Sequence, residues 1–455
     1  MNLDALFNPK KIAVIGVSLS NDNHPANIIF SKNHHRYPVD IYGVNPRGGV
    51  LQDQHIYKSI LEIEGPVDLA VISVRADMVR DSLRQCIESG VRSTVVISGG
   101  FSETGRQDLQ DELVAMARDA DMPLIGPNCL GVFVPNKFDT LFLPMERMIL
   151  PHAGSIAFIS QSGGVLVDQM IRFSGEGIGI SRSISIGNKA LIGEVDLLEY
   201  LADDPMTGVI ALYVEGFGKN EGRHFVEAAR ACSKPVVVLK SGKTAAGSQA
   251  VSSHTAALAG DYENFKAALS QHGVVEAETE EDLASLCDVL SAYPAGIKGH
   301  VAVITGSGGH GALATDACST NGLQLPALSE REKKELASLL TPSVQVIGSY
   351  HNPIDLTGSA RDQDFVEAVQ YCARTGRYDC ILMLLLPYIP GITSDLSARL
   401  SAVAQREKIP LLAYVPHEEK YAMFVEGFQL NGIPVAPTIE GAVLMTAALM
   451  RRQSR

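Results

Sequence analysis

The sequence predicts an α/β chain built from successive doubly wound parallel sheets, and three observations carry that expectation. Short apolar runs recur along its whole length, separated by helical patterns, as buried parallel strands do. Its 41 glycines fit many strand-to-helix turns. A Ser/Thr-and-glycine pattern follows the first expected strand of two different stretches, Ile159-Ser160-Gln161-Ser162-Gly163-Gly164 and Ile304-Thr305-Gly306-Ser307-Gly308-Gly309. A length of 455 residues suits three such units, at roughly 150 residues each.

The first unit is expected over 1–145, with strands at 11–15 (KIAVI), 39–44 (VDIYGV), 67–74 (VDLAVISV), 94–98 (TVVIS) and 122–125. The second, over 146–295, has runs at 154–159 (GSIAFI), 207–214 (TGVIALYV) and 235–239 (PVVVL). The third, over 296–455, has runs at 300–304, 379–386, 410–415 and 433–436. Pro and Gly in SAYPAGIKGH at 291–300 mark the linker before it. Each glycine-rich pattern precedes a helical run, VLVDQMI or HGALATDA, so two units present a helix start at a strand's carboxyl end. That is where open α/β sheets bind ligands.

Bulk properties narrow the function. A net charge of −13 argues against nucleic-acid partners. It does not exclude an anionic ligand, because local N–H groups bind phosphate on an acidic protein. Seven scattered cysteines without a C-x-x-C pair predict reduced thiols, no metal site and a cytoplasmic location. The opening MNLDALFNPKKIAVIG carries no signal-peptide pattern, and the most apolar run, ILMLLLPYIP at 381–390, is too short to span a membrane.

Several stretches carry candidate chemistry. The first glycine turn, Gly16-Val17-Ser18-Leu19-Ser20, is not G-x-G-x-x-G, and the second strand ends on Asn45-Pro46-Arg47 instead of an acidic residue. Arg47 suits a ribose phosphate, leaving NADP, the 3′-phosphate of CoA, or a plain loop with a surface arginine. In Gly126-Pro127-Asn128-Cys129, Asn128 offers hydrogen bonds beside a fixed turn. Cys129 has no partner histidine nearby and reads as a small lining residue. Ser253-His254-Thr255 follows KSGKTAAGSQAVS, which reads as a cationic, mobile loop. A histidine among small residues there approaches a phosphate unhindered, and imidazole is a nucleophile at neutral pH. Glu215, at the end of VIALYV, would hold one imidazole N–H and leave the other nitrogen free. The helix starts at 162–164 and 307–311 would supply N–H donors to a phosphoryl group.

Together Gly126-Pro127-Asn128-Cys129, Ser160 to Gly164, Gly187-Asn188-Lys189-Ala190, Tyr213-Val214-Glu215-Gly216, Ser253-His254-Thr255 and Asn352-Pro353-Ile354-Asp355 resemble the NDP-forming acyl-CoA synthetases, relatives of succinyl-CoA synthetase. The resemblance runs over nearly the whole chain in order, and its Ser-His-Thr stretch is its most specific part. It implies a Rossmann-like CoA-binding domain followed by two flavodoxin-like ligase domains. It also implies an acid–thiol ligase that interconverts acyl-CoA, ADP and phosphate with acid, CoA and ATP through an acyl phosphate and a phosphohistidine. By match, His254 is the phosphorylated residue and Glu215 its hydrogen-bonding carboxylate. Ser160, Gln161, Ser162, Gly163, Gly164, Ser307, Gly308, Gly309 and Gly311 match the phosphate cradle. Gly16, Ser18, Ser20, Asn45, Pro46, Arg47, Ser73, Asn128 and Cys129 fall at positions near CoA.

No nucleotide loop such as G-x-x-x-x-G-K-[ST] is present. The family supplies an ATP-grasp domain by fusion or as a second subunit, so the resemblance implies such a partner, carrying ATP or ADP and Mg. Departures from the family pattern are His310 in place of a proline, Leu191 in place of an aspartate and Arg75 in place of a proline. They leave the small carboxylic acid open. Two other readings stand beside the enzyme: a CoA- or acyl-CoA-binding regulatory module without turnover, and an NADP-dependent oxidoreductase, which leaves two domains without a task.

Overall fold

Apolar strand runs alternating with helices produce three parallel-dominated sheets in the computed structural model, which describes residues 1–218, 220–254, 262–416 and 418–453. They form two compact units, Met1–Glu280 with two sheets and Glu281–Arg455 with one.

The first sheet comprises β1 (Lys11–Ile15), β2 (Asp40–Val44), β3 (Gly49–Leu51), β4 (Gln54–Tyr57), β5 (Leu69–Ile72), β6 (Ser93–Val96) and β7 (Leu124–Ile125), in the order β3-β4-β2-β1-β5-β6-β7. Every apolar run expected there contains a strand. The β3–β4 hairpin turns on Gln52 and Asp53, both at positive φ, the backbone that two-residue hairpins need. The order reverses between β1 and β5, so a crevice opens at their carboxyl ends. Gly16 sits in it at φ +106°, and a Cβ there would lie 2.3 Å from the Ser73 carbonyl oxygen, so only glycine fits.

The second sheet holds β8 (Val132–Val134), β9 (Phe138–Asp139), β10 (Ala153–Ser160), β11 (Ile180–Ser185), β12 (Val209–Val214), β13 (Val236–Lys240) and β14 (Val275–Ala277), in the order β14-β13-β12-β10-β11-β8-β9. Its parallel part has the flavodoxin-like order, with the switch point between β10 and β12. The antiparallel β8–β9 hairpin, read from sequence as the tail of the first unit, pairs with β11 and so closes the edge of the second sheet. β11 itself, Ile-Ser-Arg-Ser-Ile-Ser, was not expected from apolar runs. It is buried throughout, and several of its polar groups find partners: Ser181 meets Thr207 at 2.9 Å, Arg182 pairs with Asp204 at 2.6 Å, and the Ser185 hydroxyl accepts from Leu130 N–H, whereas the Ser183 hydroxyl has none.

These two sheets share one apolar core, in which Phe7, Val14 and Ile97 of the first layer join Val132, Ile159 and Ile184 of the second. A buried ion pair crosses the same seam. Lys32, on the helix Pro25–Arg36, donates to Asp139 at 2.8 Å and to the Leu141 carbonyl. Asn33 exchanges two hydrogen bonds with the Asp139 backbone.

The other unit contains β15 (Val301–Thr305), β16 (Ser349–Tyr350), β17 (Ile354–Asp355), β18 (Cys380–Leu384), β19 (Leu411–Tyr414) and β20 (Val435–Ala436), ordered β16-β17-β15-β18-β19-β20. Its parallel strands repeat the flavodoxin-like order around β15. No helix among the described residues is long and apolar enough to cross a membrane.

Candidate active site

The switch point of the second sheet opens into a cleft of about 770 Å³. Three groups of expected residues line it together: Asn128 and Cys129 from the first layer, Gln161 to Gly164 after β10, and Glu215 after β12. Ile97, Leu130 and Phe142 supply apolar wall.

Within 160–164 the residues divide their work. Ser160 is fully buried; its hydroxyl donates to the Ser162 carbonyl at 2.6 Å and accepts the Ser162 N–H at 3.2 Å. The Gln161 amide is engaged with Glu194, Gly216 and the Glu215 N–H. Ser162 caps the helix Gly163–Gly175, its oxygen accepting from Val165 N–H. Helix geometry leaves the first two N–H groups, those of Gly163 and Gly164, without an intrahelical acceptor, and both residues face the cleft. The nearest atom to a Cβ built on Gly164 is 3.9 Å away, so this helix start is open to a ligand. Backbone N–H groups at the positive end of a 13-residue helix form an anion site.

Glu215 is half-buried near Tyr213, and burial pushes that phenol above its ordinary pKa. Lys240, from the end of β13, donates to the Glu215 carbonyl at 2.6 Å. Burial lowers the pKa of that lysine and the Glu215 charge opposes the shift. Lys189 reaches Glu194, Glu221 and the Gly216 carbonyl. Glu194 is fully buried; desolvation raises its carboxyl pKa against the pull of Lys189. Sequence reasoning missed Glu194 and Glu221, because nothing local marks them as neighbours of 161 and 189.

The stretch read as a mobile cationic loop is different in structure. Lys243 is ion-paired with Glu276 and Glu278 at 3.0 and 2.7 Å, and the helix Ala245–His254 follows, with Thr244 capping it through the Gly247 N–H. Small residues with one good cap suffice for a helix that packs on the cleft. His254 is the last residue of that helix; its side chain, and residues 255–261, lie outside the described residues.

At the first-sheet crevice, Ser18 exchanges hydrogen bonds with Asn27 at 2.6 and 2.8 Å, and its hydroxyl accepts from Ser20 N–H. Asn45 donates to the Val17 carbonyl at 2.7 Å and accepts from Arg47 N–H at 2.8 Å, which ties the second strand's end to the first glycine turn. Arg47 is exposed, as is Pro46, and Ser73 is buried behind Gly16. Asn128 donates to Asn188, which in turn holds Glu103 at 2.6 Å. Burial raises the Glu103 pKa, but Asn188 and the backbone N–H groups around it outweigh that and lower the carboxyl overall. The Cys129 thiol donates to the Val96 carbonyl and is pushed up to about 12 by burial, so it lines the cleft as a neutral group.

In the other unit, the helix Gly308–Thr320 follows a similar turn, without the side-chain cap. Thr305 and Ser307 exchange bonds as Ser160 and Ser162 do, and Gly311 packs against Pro353. Gly309 is open, and His310 meets the Ser307 hydroxyl at 3.1 Å. Among the described residues no cluster of three or more His, Cys, Asp or Glu is placed to hold a metal.

Comparison with known proteins agrees with this geometry domain by domain. A CoA binding domain model matches residues 10–135, a succinyl-CoA ligase like flavodoxin domain matches 153–290, and a Ligase-CoA domain matches 301–407. The alpha subunit of acetate–CoA ligase (ADP-forming) II from Pyrococcus furiosus is 36% identical over 99% of this chain and 98% of its own length. The chain belongs to the ADP-forming acyl-CoA ligase family. Another member, acetate–CoA ligase (ADP-forming) I from Archaeoglobus fulgidus, is 37% identical over 85% of this chain, but the match covers only 55% of that protein. The ligase thus matches a relative named as an alpha subunit almost end to end, and about half of a longer one. Among solved structures, the dinucleotide forming acetyl-coenzyme A synthetase 1 of Ca. Korarchaeum cryptofilum, in complex with phosphate and ADP, superimposes with a TM-score of 0.91. It is 31% identical over 99% of this chain and 97% of its own.

Proposed function

We propose that this ligase chain is the CoA- and phosphate-handling subunit of an enzyme that interconverts acyl-CoA, ADP and phosphate with a small carboxylic acid, CoA and ATP. Its domains are 1–145 for CoA, 146–295 for the phosphohistidine and 296–455 for the second ligase fold. The observation that carries the reading is the single cleft shared by Asn128, the Gly163 and Gly164 N–H groups and Glu215. It can hold a thioester end, a phosphate and a strand-end carboxylate together.

In the direction of ATP synthesis, a phosphate oxygen attacks the thioester carbonyl. CoA departs as the thiolate and an acyl phosphate remains. The Gly163 and Gly164 N–H groups bind the phosphate anion, and the dipole of their helix favours its charge. An imidazole nitrogen of His254 takes the phosphoryl group and the carboxylate leaves. Glu215 holds the other imidazole nitrogen and stabilises the charge that develops on the ring. Ser160 and Gln161 support this site from behind, while Ser307, Gly308, Gly309 and Gly311 form the equivalent cradle in the third domain. Gly16, Ser18, Ser20, Asn45, Pro46, Arg47, Ser73 and Cys129 frame the CoA site. ADP and Mg belong to an ATP-grasp partner. The relatives' names make acetate the first acid to test.

The test is phosphoenzyme formation. With acetyl-CoA and radiolabelled phosphate, the assembled enzyme should acquire an acid-labile, alkali-stable label, and His254→Ala should abolish it. Label that persists on His254→Ala, or that maps to a serine, contradicts the assignment.

A further inference from the structure

All four backbone polar atoms of Glu215 and Gly216 are held by side chains. The N–H groups of Glu215 and Gly216 donate to Gln161 Oε1 at 2.6 and 3.1 Å. The Glu215 carbonyl accepts from Lys240 Nζ at 2.6 Å. The Gly216 carbonyl accepts from Gln161 Nε2 at 2.8 Å and from Lys189 Nζ at 3.1 Å. Only one orientation of the Gln161 amide satisfies this set, because its oxygen faces two donors and its nitrogen faces the Gly216 carbonyl and Glu194.

A strand end ordinarily meets neighbouring backbone or water. Here the three holding side chains come from three places in the sheet: after β10, after β11 and at the end of β13. Gln161 and Glu194 are buried, and Lys189 is only 14% exposed while bound to Glu194 and Glu221. Packed apolar residues of similar volume would stabilise a fold at least as well as this buried ionic set. What such a set does provide is a fixed position.

We propose that Gln161, Lys189 and Lys240 are positioning residues that clamp the Glu215–Gly216 backbone and thereby aim the Glu215 carboxylate at the phosphoryl-accepting imidazole. The inference rests on the reading of Glu215 given above. None of the three need touch substrate. Each acts through the peptide that carries Glu215, so its contribution vanishes once that carboxylate is removed.

A double-mutant cycle on the assembled enzyme tests this, with ATP formation from acetyl-CoA, ADP and phosphate as the readout. Gln161→Met keeps the side-chain volume and removes every bond. It should lower kcat by about tenfold and leave KM for acetyl-CoA within about threefold. On the Glu215→Gln background the same substitution should cost less than about twofold. Lys240→Met, made separately in both backgrounds, should repeat the pattern, and it serves as the measurement if Gln161→Met does not accumulate folded enzyme. Equal losses in both backgrounds would show a merely structural brace and overturn the clamp while leaving Glu215 in its role. Full activity of Glu215→Gln alone would overturn both.

Discussion

Lys32→Met removes one half of the buried ion pair at the seam between the first two sheets. Lys32 is 5% exposed and Asp139 is fully buried, so the remaining carboxylate has no water to turn to. Stranding a buried charge in this way costs about 3–5 kcal/mol, a large share of the 5–15 kcal/mol, roughly, that holds a typical domain. In the intact protein burial already pushes the Asp139 carboxyl up and Lys32 pulls it back. Without the lysine the upward push is opposed only by the Leu141 N–H bond, so the carboxyl rises further. A carboxyl whose folded pKa is raised contributes stability below its unfolded pKa, near 4, and loses it as pH rises toward the folded value. Between the parent's folded pKa and the variant's higher one, the variant should therefore fall further behind the parent by up to about 1.4 kcal/mol per pH unit. Lowering the pH from 7 to 5 should recover up to about 2.7 kcal/mol of the deficit. Adding Asp139→Asn should recover most of it at pH 7, since the amide oxygen still accepts the Leu141 N–H, now 2.8 Å from Asp139 Oδ1. Guanidinium titrations read by pulsed hydrogen exchange on peptides from 132–141 would report this unit separately from the other. A loss below about 1 kcal/mol at pH 7, or a deficit that does not change with pH, would refute the reasoning.

Arg47→Ala should weaken CoA by about tenfold, roughly 1.4 kcal/mol, and dephospho-CoA by much less, because the charge-assisted contact to the 3′-phosphate is lost; equal losses in calorimetry would remove Arg47 from that phosphate. All seven cysteines are buried, and burial pushes Cys86, Cys129 and Cys372 up to about 12. Those three thiols therefore stay neutral across the assay range, and since all seven are buried, iodoacetamide at pH 8 should leave the native chain unlabelled by intact mass while labelling it after denaturation; rapid native alkylation of Cys129 would contradict its buried placement.

The parallel sheets were legible because their physics is local. A strand covered on both faces must be apolar along its length, as KIAVI, VIALYV and PVVVL are. A helix start after such a strand announces itself by small residues, which is how Gly163 and Gly164 could be singled out. Glu215 was visible for a related reason: a carboxylate directly after an apolar strand lies at the ligand-binding edge of an α/β sheet.

Other features depend on contacts between residues far apart in the chain. β11 is buried although four of its six residues are polar, and partners far away in the chain, Thr207, Asp204 and Leu130, make that burial tolerable. The β8–β9 hairpin belongs to the second sheet because β11 offers it an unpaired edge, which no pattern within 132–139 records. Gln161 reads as one more member of a phosphate loop, yet its amide turns inward to Glu215, Gly216 and Glu194. For the apolar strands the sequence by itself determined roughly where they end and which side chains stand there, since burial and turn chemistry act on neighbouring residues. Only the tertiary structure decided which of those side chains face the cleft and which face one another, because hydrogen bonds between the ends of separate strands exist only after the sheet has assembled.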